Sequence, residues 1–275
     1  MKRMLPIEFR RLFRSYSFYM AIAIGLLFPI SYLIQYIIPY AVANASGSYI
    51  ESGVIPHSVF EYPLGRGSFH ESILANIAPL LVAIPYGYSY YRDKKTGYIK
   101  NLFTRSEKKN YLVSKYIVTF FSGGVVLALP WLVSFIGNLM FLPYIKPIAG
   151  SHLFPMGGTV MWSELFYSFP SLYILVFCTR CFIIGGLLAC MCLSATYIVN
   201  GIFLVELFPF IFVTVFNMLV PVVDTKGGLL NSTQNILDIE ISGGGMTYLA
   251  VFLTMAVFAL VSVIYVVCSA REDSL

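Results

Sequence analysis

Residues Arg92–Lys115, which read RDKKTGYIKNLFTRSEKKNYLVSK, lie between two long apolar segments. This stretch holds eight of the chain's eighteen Lys and Arg residues. Because charge at this density is costly in hydrocarbon, the stretch is expected to lie in water. Cytoplasmic loops of membrane proteins carry an excess of Lys and Arg, which predicts that this water is the cytoplasm.

The same stretch contains a short amphipathic pattern. Tyr98, Ile99, Leu102 and Phe103 recur at helical spacing among basic and polar residues. A short helix with such an apolar stripe, held at the edge of the membrane, would offer a docking surface to a soluble partner.

The composition of the whole chain is that of an integral membrane protein. Hydrophobic residues make up 58% of the chain and charged residues 11%, with a mean hydropathy of +0.79. A soluble domain carries roughly 25% charged residues. The net charge of +5 does not indicate a nucleic-acid partner, because the basic residues cluster at predicted membrane edges, where lipid headgroups attract them.

The first residues, 1–16, are predicted to form an amphipathic helix in the membrane interface. One face is apolar and the opposite face is basic. The apolar face comprises Leu5, Phe9, Leu12, Phe13 and Tyr16, and the basic face comprises Arg10, Arg11 and Arg14. The alternative is a plain basic flank that only sets the orientation of the first span.

Residues 17–275 are predicted to form an all-α transmembrane domain of six helices, each near the roughly 20 residues that cross a bilayer. The predicted spans are Phe18–Ile38, Ile73–Tyr91, Tyr116–Phe135, Leu172–Leu193, Ile198–Val220 and Met246–Cys268. They leave a cytoplasmic loop at 92–115 and outer segments at 39–72, 136–171 and 221–245. With both termini in the cytoplasm, fourteen of the eighteen basic residues fall on the cytoplasmic side, which supports this orientation.

The chain contains no recognised catalytic or nucleotide-binding motif. It lacks the phosphate-binding loops GxxxxGKS and GxxxxGKT, the metalloprotease motif HExxH and the hydrolase motif GxSxG. We therefore expect no enzymatic activity from this chain alone, no bound cofactor and no metal. Cys178 and Cys181 form a CxxC, but they lie in an apolar run, where a thiol behaves as a small hydrophobe.

Arg180 and Glu206 are charges inside predicted spans, where a charge usually faces the bundle interior or a partner. Spans four and five are expected to form a tight hairpin, so the two residues could pair and lock it. They could instead line a substrate path or a subunit interface. A third reading places one of them near the membrane surface, with the span boundaries shifted.

Ile7–Ser15, which reads IEFRRLFRS, resembles the start of many bacterial ABC-2 type permeases, which place an interfacial helix before the first span. Thr96–Phe103, which reads TGYIKNLF, is followed by Arg105, Lys108 and Lys115 and resembles that family's loop between spans two and three. There a glycine precedes a short helix, and a basic stretch leads into the third span with a lysine. The chain departs from the family in its long outer segment after span three and in its intramembrane arginine.

The resemblance implies the membrane subunit of an ABC exporter, similar to bacteriocin, lantibiotic or multidrug export and immunity permeases. Such a subunit sits in the bacterial plasma membrane and pairs with a second permease, identical or related, and with separate ATP-binding subunits that hold ATP and Mg²⁺. Its cargo would be a peptide, a drug or a lipid-like compound. The residues expected to couple to the ATPase are Gly97, Tyr98, Ile99, Leu102, Phe103, Glu8, Phe9, Leu12 and Phe13.

Two other functions remain open from the residues alone. A secondary transporter or channel would need charged or repeated spans, and the chain shows few charges and no detectable inverted repeat. A peptide-binding immunity protein would use the outer segments without an ATPase. A Walker-containing ATPase encoded beside this chain would favour the exporter over both.

Overall fold

The computed structural model of the chain describes residues 4–45, 58–60, 68–104, 107–148, 162–223, 237 and 248–271. Within these residues the protein is all-α, without strands. Its helices are α1 (Met4–Phe13), α2 (Tyr16–Tyr32), α3 (Ile38–Ala45), α4 (Phe69–Ala83), α5 (Ser89–Lys95), α6 (Tyr98–Phe103), α7 (Lys108–Phe141), α8 (Ser163–Ser168), α9 (Pro170–Ala195), α10 (Ile202–Val223) and α11 (Tyr248–Arg271). Most of the predicted outer segments lies outside the described residues.

Four helical stretches are long and apolar enough to cross a membrane. They are α7, α9, α10 and Tyr16–Ala43, which joins α2 to α3 through a π-helical turn at Leu33–Ile37. These stretches coincide with the predicted first, third, fourth and fifth spans. The other two apolar helices, α4 and Tyr248–Ile264 within α11, are shorter. The protein is therefore built to be embedded in a membrane.

The predicted second span, Ile73–Tyr91, is not one continuous helix. α4 ends before Pro85, and α5 begins at Ser89. Ile84 keeps helical angles, but Pro85 has no N–H to donate, so one hydrogen bond of a continuous helix is missing there. At Gly87 the chain packs tightly on α9, where an added Cβ would lie 2.7 Å from the Cys192 sulfur.

α7 and α9 form the centre of the bundle. Their backbones approach most closely at Gly123 and Gly185, where a Cβ added to Gly123 would lie 2.5 Å from the Gly185 carbonyl oxygen. Only glycine fits such a close approach of two helices. Further along, Trp131 of α7 packs edge-on against Phe177 of α9, with ring centres 4.8 Å apart. α2, α4, α10 and α11 pack around this pair.

One end of the bundle collects α1, α5, α6, the start of α7 and the turn between α9 and α10. Tyr90, Tyr111, Leu112 and Leu193 form an apolar cluster there. The Tyr90 hydroxyl also lies 2.6 Å from the hydroxyl of Tyr197 in the α9–α10 turn. We call this the α6 end, and it is the end that the charge pattern predicts to be cytoplasmic.

Candidate functional site

Four charges meet at the α6 end, three of them buried and that of Arg11 half-buried. Glu8 and Arg11 come from α1, Asp93 from α5 and Lys115 from α7. The Lys115 ammonium donates to Glu8 Oε2 at 3.0 Å and to Asp93 Oδ2 at 2.7 Å. Arg11 donates to Glu8 Oε1 at 2.9 Å and to both Asp93 oxygens at 2.6 and 3.0 Å. We call these four side chains the charge cluster.

The local structure of three helices brings the four charges together. Glu8 and Arg11 are one turn apart on α1, so both project toward the same side. α5, which follows the break after α4, supplies Asp93. α7 begins two turns before Lys115, so this lysine enters the bundle on a continuous helix. The cluster thus joins residues that are 82 and 107 positions apart in the chain.

Two tyrosines complete the cluster. The Tyr86 hydroxyl donates a short hydrogen bond to Glu8 Oε2, and the Tyr111 hydroxyl donates to Asp93 Oδ2 at 2.8 Å. The Lys115 ammonium lies 4.7 Å from the centre of the Tyr86 ring. A buried charge is tolerated when it is paired and hydrogen-bonded. Each of the four charged side chains here is hydrogen-bonded to at least two other side chains.

The surroundings of Arg11 and Asp93 favour the charged form of each. Burial alone would lower the pKa of Arg11, yet the hydrogen bond with Asp93 and the charge of Glu8 raise it above its ordinary value. Burial alone would raise the pKa of Asp93, yet the hydrogen bond from Arg11 and the charge of Lys115 lower it. By formal charge, the two carboxylates of the cluster balance its two cations, so its net charge is zero.

Two charged side chains of the 92–115 stretch are buried within the protein and have almost no contact with solvent. The exposed fraction of Lys115 is 0% and that of Asp93 is 2%. Each is buried because it pairs with the other and with a residue of α1, which the count of charges along the chain does not reveal. The remaining described basic residues of the stretch, such as Arg92, Lys95 and Lys100, are exposed or half-exposed.

α6 occupies the position of the predicted amphipathic stripe. Gly97 precedes it with a φ of 71°, a left-handed conformation that glycine adopts without strain. Ile99, Leu102 and Phe103 are half-buried and pack on the apolar cluster of the α6 end. Tyr98 remains 37% exposed, and its ring lies 5.1 Å from the Arg11 guanidinium carbon. α6 is thereby attached to the charge cluster on one side and exposed on the other.

The four residues proposed for coupling on α1 divide into two groups. Glu8 and Leu12 are buried against α7, with exposed fractions of 1% and 0%, so neither side chain offers a surface to a partner. Phe9 is half-buried and packs on Phe121 of α7, with ring centres 5.3 Å apart. Phe13 is exposed. Arg11, placed on the basic face by the sequence pattern, points into the charge cluster.

Arg180 and Glu206 are not brought together. Among the described residues no ion pair within 4.0 Å joins them, and the Arg180 guanidinium lies 4.9 Å from the Phe177 ring centre. Arg180 lies fifteen residues before the end of α9, whereas Glu206 lies four residues after the start of α10. At 1.5 Å per residue, the two differ in depth by about 16 Å, which exceeds the reach of their side chains.

No metal site is evident in the described part of the chain, where no three His, Cys, Asp or Glu side chains are grouped. All five cysteines are free thiols, and Cys178 and Cys181 are buried in α9. Within the described residues, the charge cluster is therefore the candidate site, and its ion pairs hold α1, α5 and α7 together.

Comparison with known proteins gives no match to a family model, to a curated protein or to a solved structure.

Proposed function

We propose that the chain is the membrane subunit of an ATP-driven ABC exporter of the ABC-2 type. In this proposal six helices span a bacterial plasma membrane, and both termini lie in the cytoplasm. A second permease, identical or related, completes the membrane part, and separate ATP-binding subunits hydrolyse ATP with Mg²⁺. The cargo is a peptide, a drug or a lipid-like compound.

The observation that carries the proposal is the attachment of α6 to the charge cluster. α6 follows α5 after two residues, and α5 carries Asp93 into the cluster. Arg11 contacts both Asp93 and Tyr98, so it ties α6 to α1. A push on the exposed side of α6 would therefore reach α1 and α7 together. α7 in turn runs through the whole bundle against α9 and would carry the displacement to the far end, as rigid-body transitions require.

The surface of α6 that a partner could touch differs from the predicted stripe. Lys100 and Asn101 are exposed, whereas Leu102 and Phe103 pack on the apolar cluster that contains Tyr111. Acidic substitutions at Leu102 and Phe103 would damage this packing as well as any contact with a partner. Substitutions at Lys100 and Asn101 change only the exposed side and give a cleaner test.

The experiment is co-purification of the tagged chain with the ATP-binding protein encoded beside its gene. Wild type is expected to retain the ATP-binding protein through detergent extraction. The variant Lys100→Glu with Asn101→Glu is expected to lose most of it, because it places two carboxylates on the docking surface. Like-charge or unpaired groups at an interface are costly.

The chain offers a matched control. A second Lys-Asn pair, Lys109-Asn110, lies on α7 and is outside α6. Lys109→Glu with Asn110→Glu makes the same change in charge and residue type and is expected to retain the partner. Equal loss in the two variants, or a wild-type chain that retains no ATP-binding protein, would contradict the proposal.

A further inference from the structure

A cavity of about 390 Å³ lies beside the charge cluster, between the α1–α2 junction and the turn that precedes α5. Three arginines line it, Arg11, Arg14 and Arg92, and no acidic side chain does. The α1–α2 junction contributes Ser15 and Ser17 as well. We call this space the arginine cavity.

Two of the three arginines carry charge that nothing in the described residues balances. Arg11 is neutralised, because it pairs with Glu8 and Asp93. Among the described residues, no carboxylate lies within 4.0 Å of Arg14 or Arg92, and both side chains are exposed. The Arg92 guanidinium rests 5.2 Å from the Tyr88 ring centre, which holds it at the wall of the cavity. The cavity is thus a positively charged space with an excess of two charges.

One hydroxyl group at the cavity, that of Ser89, also lacks a partner among the described residues. Ser89 is 1% exposed and lines the cavity, yet its hydroxyl has no hydrogen-bond partner in the described part of the chain. A buried hydroxyl without a partner is destabilising, so its presence indicates an unseen acceptor or donor. Ser15 is the N-cap residue of α2, and its side chain makes no capping hydrogen bond. The first N–H groups of a helix as long as α2 also favour an anion.

We propose that the arginine cavity binds a phosphate group. Arginine forks match phosphate oxygens in pairs, and serine hydroxyls and free helix N–H groups add donors. Tyr16 and Ser17 line the cavity at the point where the apolar stretch Tyr16–Ala43 begins. A phosphate bound there lies at the depth of lipid headgroups, so an anionic phospholipid is the source that the position favours. This inference does not depend on a coupled ATPase.

The test measures thermal unfolding of the full chain in nanodiscs. The reference is discs of phosphatidylcholine, whose phosphate is neutralised by its own choline cation. They are compared with discs that also contain the anionic phosphatidylglycerol, and a third set adds inorganic phosphate to phosphatidylcholine discs. Phosphatidylglycerol is expected to raise the melting temperature of wild type, because a ligand that binds the folded state stabilises it. Arg14→Gln with Arg92→Gln is expected to abolish this rise, since each lost arginine weakens binding about tenfold.

Two further variants separate binding from folding. Arg10→Gln with Lys95→Gln removes the same charge from α1 and α5 at exposed positions outside the cavity, and should keep the full rise. Ser89→Ala removes a hydroxyl that is unpaired in the free protein. It should leave unfolding in phosphatidylcholine unchanged or raise its temperature, while reducing the rise with phosphatidylglycerol.

The outcomes decide between the sources of phosphate. A rise with phosphatidylglycerol alone, lost in the cavity variants, supports the lipid headgroup. An equal rise with inorganic phosphate, lost in the same variants, supports a phosphate site with a soluble ligand. The proposal is overturned if neither addition stabilises wild type, or if the cavity variants respond as fully as the Arg10 and Lys95 control.

Discussion

Lys115 carries its charge at a position with no solvent exposure, eight residues into a helix that enters the bundle. Its two carboxylate partners come from α1 and α5, and Tyr86 and Tyr111 cover it. Such a cluster is not a guaranteed gain over apolar packing, since desolvation of the charges is costly. What the cluster does provide is a link between three helices, because Glu8 of α1 and Asp93 of α5 both pair with Lys115 of α7.

Removal of the lysine charge is expected to be severe. Lys115→Met leaves Glu8 and Asp93 with Arg11 as their only cation and should cost about 3–5 kcal/mol of the free energy of unfolding. Adding Glu8→Gln restores the balance of charge, so the double variant should be less damaged than the sum of its parts. The measurement is denaturant unfolding in detergent. The control Lys109→Met, exposed on the same helix, should change stability by about 0.5 kcal/mol or less. A Lys115→Met variant as mild as this control would contradict the cluster's role.

The lowered pKa of Asp93 predicts a dependence on pH. A carboxyl whose folded pKa lies below its ordinary value of 3.8 stabilises the fold above that value, and the stabilisation is lost as pH falls through the folded pKa. The difference in stability between wild type and Asp93→Asn should therefore be constant at neutral and weakly acidic pH and shrink below about pH 4. Unfolding of both proteins across an acid series measures it. A difference that stays constant throughout would contradict the ion pairs of Asp93.

The sequence contains a local signal for this cluster that the count of positive charges overlooks. Glu8 is the only acidic residue among the first 50 positions, and Asp93 is the only one between Glu71 and Glu107. A single acidic residue in a basic stretch of sequence favours a specific ion pair with one of the basic residues. Their partners could not be named from the sequence, because pairs 82 and 107 residues apart follow no periodic pattern.

At the scale of elements, hydropathy located the long apolar helices well. The predicted Leu172–Leu193 span corresponds to α9, and the amphipathic pattern near the N-terminus corresponds to α1. The start of α7 was placed eight residues late, because a run of lysines was assigned to the loop. Helical backbone tolerates Lys108 and Lys109 at the water-facing end of a long helix, and Lys115 is paired. The break at Pro85 was hidden by a continuous apolar run.

The glycines between α7 and α9 are predicted to control the spacing of the two helices. A Cβ at Gly123 would lie 2.4 Å from the Ala189 Cβ, and the nearest backbone atom would lie 2.5 Å away, so Gly123→Ala must push the helices apart. We expect a loss of about 1–3 kcal/mol, despite the better helix propensity of alanine. Thermal unfolding in detergent measures it.

A glycine within α2 provides a control that separates the effect of helix packing from the effect of alanine's higher helix propensity. An added Cβ at Gly25 would lie 3.2 Å from the side chain of Pro130 and 3.4 Å from that of Leu81, and the nearest backbone atom, the Val126 oxygen, would be at an ordinary contact distance of 3.6 Å. Gly25→Ala should be tolerated much better than Gly123→Ala. If the two variants unfold at the same temperature, the close approach of α7 and α9 does not limit stability.

At the scale of the whole molecule, α7 sets the dimensions. Its 34 residues correspond to about 51 Å, longer than the roughly 30 Å of bilayer hydrocarbon. The excess length is enough for the basic beginning of α7 to extend beyond the hydrocarbon in the proposed orientation. The charge pattern and this length together place the charge cluster at the membrane edge in the proposed orientation.

The orientation gives a labelling prediction. Lys100 of α6 and Lys146 beyond the end of α7 are both exposed and lie at opposite ends of that helix. A membrane-impermeant maleimide applied to intact cells should label Lys146→Cys and not Lys100→Cys. Permeabilised cells should show label at both. Label at Lys100→Cys in intact cells would contradict cytoplasmic placement of the α6 end.

In the proposed exporter, the charge cluster carries movement of α6 into α7. The direct measurement is the rate at which a thiol reagent labels Lys146→Cys in the purified complex with its ATP-binding subunit, with and without ATP. We predict that ATP changes this rate in wild type, and that Asp93→Asn loses the change while the bound subunit still hydrolyses ATP. Lys95→Gln, an exposed change on the same helix, should keep the response. An ATP response that is absent from wild type, or equally strong in Asp93→Asn, would contradict the account.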